Sequence, residues 1–248
     1  MNKTRIEWCD YSINPVKGLC PMACSYCYAR RMYKRFKWNP EIAWDEKCLI
    51  DLRKIKEPSR IFVGSTIELF GEWVTDETIK YILKYCQDYP QHTFIFLTKQ
   101  PWYLPREFPD NCWIGASVTN REMFSDALSN LDGIKAPVRF ISFEPLLEEV
   151  ITNDRDNGFC NLLSYYLINW LIIGQQTPGS IKTMPKIGWV KEIIQTADKA
   201  GVPVFLKENL YPIFKGQDFI PAWAVCARKP NGSKDYLRQE FPKQVAKA

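Results

Sequence analysis

Histidine is all but missing from this chain: His92 is the only one in 248 residues. With a single histidine, neither a metal site built on imidazoles nor a Ser-His-Asp triad is an attractive reading. Long apolar runs are missing too. Nothing approaches the roughly eighteen consecutive apolar residues that a bilayer span requires, so no membrane partner is expected. The polar start Met1-Asn-Lys-Thr-Arg-Ile-Glu7 has no signal-peptide core, and a cytoplasmic location is expected. No internal repeat or low-complexity segment is present, which argues against a solenoid or a fibrous chain.

What is present is an ordinary globular composition, 46% hydrophobic and 25% charged. The length suits one well-buried α/β domain, and residues 1–248 are expected to form a single domain with a C-terminal tail from about 215. The net charge of +5 is unevenly spread. Residues 1–40 hold eight basic side chains against Glu7 and Asp10, a net +6, so the rest of the chain sums to about −1. Such asymmetry points to an anionic partner near the N-terminal segment.

That segment also holds the most informative motif. In Gly18-Leu-Cys-Pro-Met-Ala-Cys-Ser-Tyr-Cys-Tyr28, Cys20, Cys24 and Cys27 are spaced Cys-x3-Cys-x2-Cys. Three thiolates can surround one centre, yet structural zinc sites and iron–sulfur clusters normally take four ligands. An open position is where a metal centre does chemistry. Cys9, eleven residues earlier, offers a second reading, in which four thiolates hold a zinc ion that staples the N-terminus of a nucleic-acid-binding protein without catalysis. In a third, the thiols simply pack as small hydrophobes. Cys48, Cys86, Cys112, Cys160 and Cys226 are scattered and show no ligand spacing.

Downstream, short apolar runs recur at Arg60–Ser65, Thr93–Thr98, Cys112–Val118, Val138–Phe143, Asn169–Gly174 and Val202–Lys207. Each reads as a buried strand of a parallel sheet. Between them, Ile79, Ile82, Leu83 and Cys86 form a helical stripe behind a Thr75 N-cap, and Val190, Ile193, Ile194 and Ala197 form another, stopped by Gly201. With a first strand near Tyr11–Val16 this makes about seven strands. The expected fold class is α/β, a partial or near-complete (β/α) barrel of parallel strands. Glu148–Asn161 reads as an acidic surface insertion, followed by a helix-like stretch at Leu162–Ile168.

In such a barrel the residues just past each strand's C-terminal end line the active site. Here they are polar at six consecutive strand ends: Ser65, Thr66 and Glu68; Thr98 and Lys99; Ser117, Thr119 and Asn120; Glu144; Gln175 and Gln176; Lys207 and Glu208. His92 falls at the opposite, N-terminal end and is expected to be structural. Glu144 ends an apolar strand and is fixed by Pro145, which makes it the leading candidate acid.

The cysteine spacing, with Tyr26 directly before the last cysteine, resembles the signature of the radical S-adenosylmethionine (radical SAM) superfamily. Asn14-Pro-Val-Lys-Gly18, Phe62-Val-Gly-Ser-Thr66, Phe96-Leu-Thr-Lys99, Gly115-Ala-Ser-Val118, Ser142-Phe-Glu-Pro-Leu146 and Trp170-Leu-Ile-Ile-Gly174 together resemble, within it, a family of unassigned function usually labelled as a phage protein. A virion structural role, suggested by that label alone, sits poorly with polar strand ends.

The resemblance implies a [4Fe–4S] cluster held by Cys20, Cys24 and Cys27. It also implies reductive cleavage of S-adenosylmethionine to a 5′-deoxyadenosyl radical, and hydrogen abstraction from a substrate. Tyr26 would pack near the cluster and present backbone to the adenine. The superfamily's glycine-rich acidic motif is altered here to Val63-Gly-Ser-Thr-Ile-Glu68. The ammonium of SAM would then fall to Glu68, or to Ser65 or Thr66 through hydroxyl or backbone oxygen. Ser117, Thr119 and Asn120 are placed for the ribose, and Gln175 also lies at a cofactor-facing strand end. Lys99 or Lys207 would hold the SAM carboxylate or an anionic substrate, with Glu144 and Lys99 as the candidate catalytic pair.

A helix opening near Ser25 would aim its N–H groups at the anionic cluster. Within Tyr28–Trp38, Arg30 with Lys34 and Arg31 with Arg35 stand at i, i+4 spacing, interleaved with Tyr33, Phe36 and Trp38. Such a pattern suits a nucleic acid or nucleotide. It suits equally a solvated helix face, or the docking of an electron donor such as flavodoxin.

Overall fold

The structure is a computed structural model that describes residues 2–151, 158–215, 220–227 and 236–243. Two compact units are present: residues 1–116 with 133–137, and residues 117–132 with 138–248. Residues 216–219, 228–235 and 244–248 of the tail expected from about 215, and residues 152–157 of the expected acidic insertion, lie outside the described residues.

The first unit contains strands β1 (Asn2–Lys3), β2 (Tyr11–Ile13), β3 (Val16–Lys17), β4 (Ala43–Trp44), β5 (Arg60–Val63), β6 (Thr93–Thr98) and β7 (Cys112–Ser117). Its helices are α1 (Tyr28–Phe36), α2 (Lys47–Ile50) and α3 (Asp76–Asp88). β2, β5, β6 and β7 pair in that order, all parallel, and β1 adds an antiparallel edge. β3 and β4 form a separate antiparallel pair, so the strand expected at Tyr11–Val16 is in fact two, which serve different sheets. α3 is built as its sequence reads. Thr75 caps it by accepting the Thr78 N–H at 3.2 Å, while Ile79, Ile82 and Cys86 are buried.

The second unit contains α4 (Arg121–Leu131), β8 (Val138–Phe143), α5 (Gly158–Tyr165), β9 (Trp170–Ile173), α6 (Ile187–Ala200), β10 (Val204–Leu206), β11 (Val225–Ala227) and β12 (Tyr236–Leu237). β8, β9 and β10 are parallel neighbours in chain order. Every residue of these three strands is buried, which is why they read as unbroken apolar runs. α6 buries Val190, Ile193, Ile194 and Ala197 and stops at Gly201, whose φ of 68° is the left-handed cap glycine tolerates. α5 begins inside the stretch read as a surface insertion, and Val150 and Ile151 of the same stretch are buried; these apolar residues override the polar composition around them.

Among the described residues there are thus seven parallel strands, four in one unit and three in the other, each set in chain order. This is the expected class: α/β, with the strand order of a partial (β/α) barrel. His92, directly before β6, is 1% exposed.

Candidate functional site

In the first unit, the loop from β3 to α1 carries Cys20, Cys24 and Cys27, all half-buried. Its path is fixed at both ends. Gly18 has φ 130°, and a Cβ there would lie 2.7 Å from Ile42 Cα, so only glycine fits. The Gly18 N–H donates to Tyr33 Oη at 2.7 Å, and the Leu19 N–H donates to Pro40 O at 2.9 Å. At the far end a turn closes with the Cys27 N–H on Cys24 O, and the Arg30 guanidinium donates to Cys20 O at 2.7 Å. α1 begins at Tyr28, not near Ser25; its N-cap is Cys27, whose Sγ accepts the Arg30 N–H at 3.5 Å. Ser25 is held inside the Cys24–Cys27 turn, so it cannot cap.

The Glu68 N–H reaches Cys20 Sγ at 3.3 Å. Burial pushes the Cys20 thiol above its ordinary pKa, opposed by backbone N–H groups of Glu68 and Met22. Among the described residues no three Cys, His, Asp or Glu side chains converge closely enough to hold a metal ion. Cys9 is buried, with its Sγ directed to Ile6 O. The donor chemistry of the loop nevertheless fits a sulfur-held centre: three soft sulfurs within eight residues, two of them already receiving backbone N–H groups.

Glu68 is 8% exposed and accepts three hydrogen bonds. Its Oε1 accepts the Phe70 N–H at 3.1 Å and the Thr98 hydroxyl at 2.7 Å, and its Oε2 accepts the Lys99 N–H at 2.8 Å. Lys99 therefore meets Glu68 through its backbone. Ser65 and Thr66 gather on Asn14, whose Oδ1 accepts both hydroxyls and the Thr66 N–H at 3.0 to 3.2 Å. Tyr28 Oη donates to Ser65 O at 2.5 Å. Tyr26 is half-buried.

In the second unit, Glu144 and Lys207 leave the ends of β8 and β10 and form an ion pair, their side chains 22% and 12% exposed. Gly174, at the end of β9, makes room for it: a Cβ there would lie 3.0 Å from Lys207 Cδ and 3.3 Å from Glu144 Cγ. Gln175 exchanges hydrogen bonds with Asn209. Its N–H donates to Asn209 Oδ1 at 3.2 Å, Asn209 Nδ2 donates to Gln175 O at 2.9 Å, and Gln175 Nε2 donates to Asn209 O. Asn120 is the N-cap of α4, accepting the Met123 N–H at 2.8 Å. Ser117 and Thr119 are buried, and Thr119 Oγ1 donates to Met123 Sδ. Ser142 Oγ, fully buried, has no partner among the described residues.

A family model described as "Protein of unknown function (DUF5131)" matches residues 3–211. The chain belongs to the DUF5131 family. No curated protein sequence matches it. Two solved structures of spore photoproduct lyase are similar to this DUF5131 chain at 15% identity. One is a mutant with bound AdoMet and dinucleoside spore photoproduct, at a TM-score of 0.49; the other is complexed with dinucleoside spore photoproduct, at 0.48. Each match covers 80% of this chain, which spans 63% of the length of the lyase chain. Among the described residues no helix is long and apolar enough to cross a membrane.

Sequence reasoning about this DUF5131 member missed Asn14, Tyr28, Arg30 and Asn209 as organisers of the site. Asn14 opens one of the motifs quoted above, and Asn209 stands three residues past the end of β10; asparagine at a strand end was the available signal.

Proposed function

We propose that this chain is a radical SAM enzyme that abstracts hydrogen from a substrate, with a nucleic acid or nucleotide favoured. The reading is carried by one observation, the Cys-x3-Cys-x2-Cys loop whose Cys20 and Cys27 sulfurs accept backbone N–H groups from Glu68 and Arg30. Cys20, Cys24 and Cys27 would hold a [4Fe–4S] cluster, leaving one iron for S-adenosylmethionine. When bound, the cluster would supply the electron that cleaves SAM to a 5′-deoxyadenosyl radical.

The chain's own residues would position and shield. The N–H groups at the sulfurs stabilise thiolate charge and tune the potential of whatever the thiolates hold. Glu68 ties the Cys20 side of the loop to the end of β6 through Thr98 and Lys99, which fixes the loop before any ligand arrives. Its Oε2 accepts a single N–H and so retains a lone pair for the SAM ammonium. Ser65 and Thr66, set by Asn14, offer the same charge a second acceptor. Glu144 and Lys207 present a carboxylate and an ammonium together; Lys207 is assigned to an anionic ligand group and Glu144 to a proton or a cationic one. Ser117 and Thr119 are assigned to hydroxyl partners of the ligand, and Gln175 to its orientation. An acidic flavodoxin-type donor is the proposed source of electrons.

The test is anaerobic reconstitution with iron and sulfide, followed by assay of 5′-deoxyadenosine from SAM under dithionite. Formation that is lost in Cys24→Ala and kept in Cys9→Ala supports the proposal. A colourless protein that leaves SAM intact and loses a bound zinc ion in Cys9→Ala would replace it with the zinc-stapled binding protein.

A further inference from the structure

The surface at the end of α1 is basic and aromatic. Arg31, Lys34, Arg35 and Lys37 are exposed, and none is in an ion pair among the described residues. α1 contains no carboxylate, and Glu41 is the only one in residues 34–44. Large aromatics share the surface: Phe36 is 51% and Trp38 42% exposed. Their rings lie 5.5 Å apart at 23°, a stacked pair, and the Arg35 guanidinium sits 5.3 Å over Phe36.

The pair is held in place from beneath. Lys37 takes the left-handed conformation, with φ 50°, and turns the chain back so that the Trp38 N–H donates to Tyr33 O. Trp38 then meets Tyr33 edge-on at 5.3 Å. Tyr33 is buried and bonds Gly18, and Pro40 bonds Leu19, so the surface starts where the cysteine loop starts. A solvated helix end has no reason to hold two stacked aromatics half in water beside unpaired cations.

We propose that this surface binds single-stranded nucleic acid, with phosphates on Lys34, Arg35 and Lys37 and bases stacked on the Phe36–Trp38 pair. The charge is complementary to a phosphate backbone, and flat exposed rings suit bases better than they suit the rim of a protein partner. This rests on the nucleic-acid reading above and is independent of the radical chemistry, because binding requires none of the three cysteines.

The experiment titrates the full chain against fluorescein-labelled oligothymidylate and oligouridylate, followed by anisotropy at several salt concentrations. With about three phosphates contacted, the logarithm of affinity should fall with that of salt at a slope of about −2. Trp38→Ala should weaken binding about tenfold or more, with Trp38→Phe restoring part of it. Since Trp38 packs on Tyr33, the exposed pair Lys34→Glu/Lys37→Glu provides a second test, and should flatten the slope by about 1.4. Lys56→Glu/Lys80→Glu, the same charge change at other exposed positions, should leave binding intact. Binding unaltered in the Trp38 and Lys34/Lys37 variants, or no binding of either probe, overturns the assignment. So does salt-sensitive retention of an acidic flavodoxin in place of the oligonucleotides, which would make this a protein-docking face. Formation of 5′-deoxyadenosine by the unaltered chain without oligonucleotide reports separately on the radical reading.

Discussion

Replacing Glu68 by alanine should loosen the cysteine loop from a distance, and the structure sets the size of the effect. Three donors converge on this one carboxylate: the Phe70 N–H, the Thr98 hydroxyl and the Lys99 N–H. Phe70 and Thr98 are 3% and 1% exposed, so water cannot replace the lost acceptor. Hydrogen bonds to a charged group contribute about 1.5–3 kcal/mol each, and a buried donor left unpaired costs about 1–3 kcal/mol. Allowing for partial relaxation and non-additivity, Glu68→Ala should cost about 4 kcal/mol. Glu68→Gln keeps the shape but turns an NH2 group toward the Lys99 N–H or toward the Phe70–Thr98 pair, and should cost about 2 kcal/mol.

Hydrogen exchange reads the effect locally. In Glu68→Ala the Phe70 and Lys99 amides should lose about 100-fold or more of their protection, since each 1.4 kcal/mol is a factor of ten. A cycle with Thr98→Val isolates one contact and should return a coupling of about 1.5 kcal/mol or more. Thr98 also accepts the Gln100 N–H at 2.8 Å, so Thr98→Val alone costs more than its share of the pair. Because the Glu68 N–H binds Cys20 Sγ, the alanine variant should release iron faster after reconstitution. A cost below about 1 kcal/mol, with exchange at Phe70 and Lys99 unchanged, would refute the view that this carboxylate anchors the loop.

Gly18→Ala should be more damaging than its size suggests, because the new Cβ meets backbone atoms of Glu41 and Ile42 at 2.7 to 2.8 Å and φ is 130°; iron content after reconstitution should collapse while far-UV circular dichroism persists. Lys207→Met should cost about 2 kcal/mol, below the 3–5 kcal/mol of a fully buried pair because Glu144 keeps some water contact, and adding Glu144→Gln should recover most of it in urea unfolding. Burial pushes the His92 imidazole below its ordinary 6.5, against a smaller opposing effect of the Ile55 backbone. The unfolded chain thus takes up the proton first as pH falls, so stability is whole above pH 6.5 and declines below it toward the folded pKa. In His92→Gln this decline in the denaturation midpoint should flatten; an unchanged pH profile would assign the acid sensitivity elsewhere.

The parallel strands were legible because burial on both faces leaves no polar position to break the run, as in Val138–Phe143 and Trp170–Ile173. Thr75 and Gly201 were legible for a local reason: cap chemistry acts within one turn of its own residue. Longer-range arrangements were not. Asn14 meets Ser65 across 51 residues and Gln175 meets Asn209 across 34, and no local pattern encodes such partners. α1 opens three residues later than the sequence reading placed it, because the turn closed by Cys27 on Cys24 comes first and leaves Cys27 at the cap. Gly174 read as the end of an apolar strand. Its need for a bare Cα arises only when Lys207 and Glu144 approach over it.

The same device recurs in both units. At the ends of the first strands, Asn14 fixes Ser65 and Thr66, and Gly64, with φ 83°, turns the chain into them. At the ends of the later strands, Asn209 fixes Gln175 beside Gly174. Each asparagine side chain replaces hydrogen bonds that a parallel strand loses where its ladder stops. Polar side chains at these ends are thereby held without a ligand, and the ordering entropy is already lost on folding rather than on binding. Asn14→Ala and Asn209→Ala should therefore weaken ligand binding more than they weaken the fold, because what they release is loop freedom at the strand ends and not the buried apolar contacts beneath.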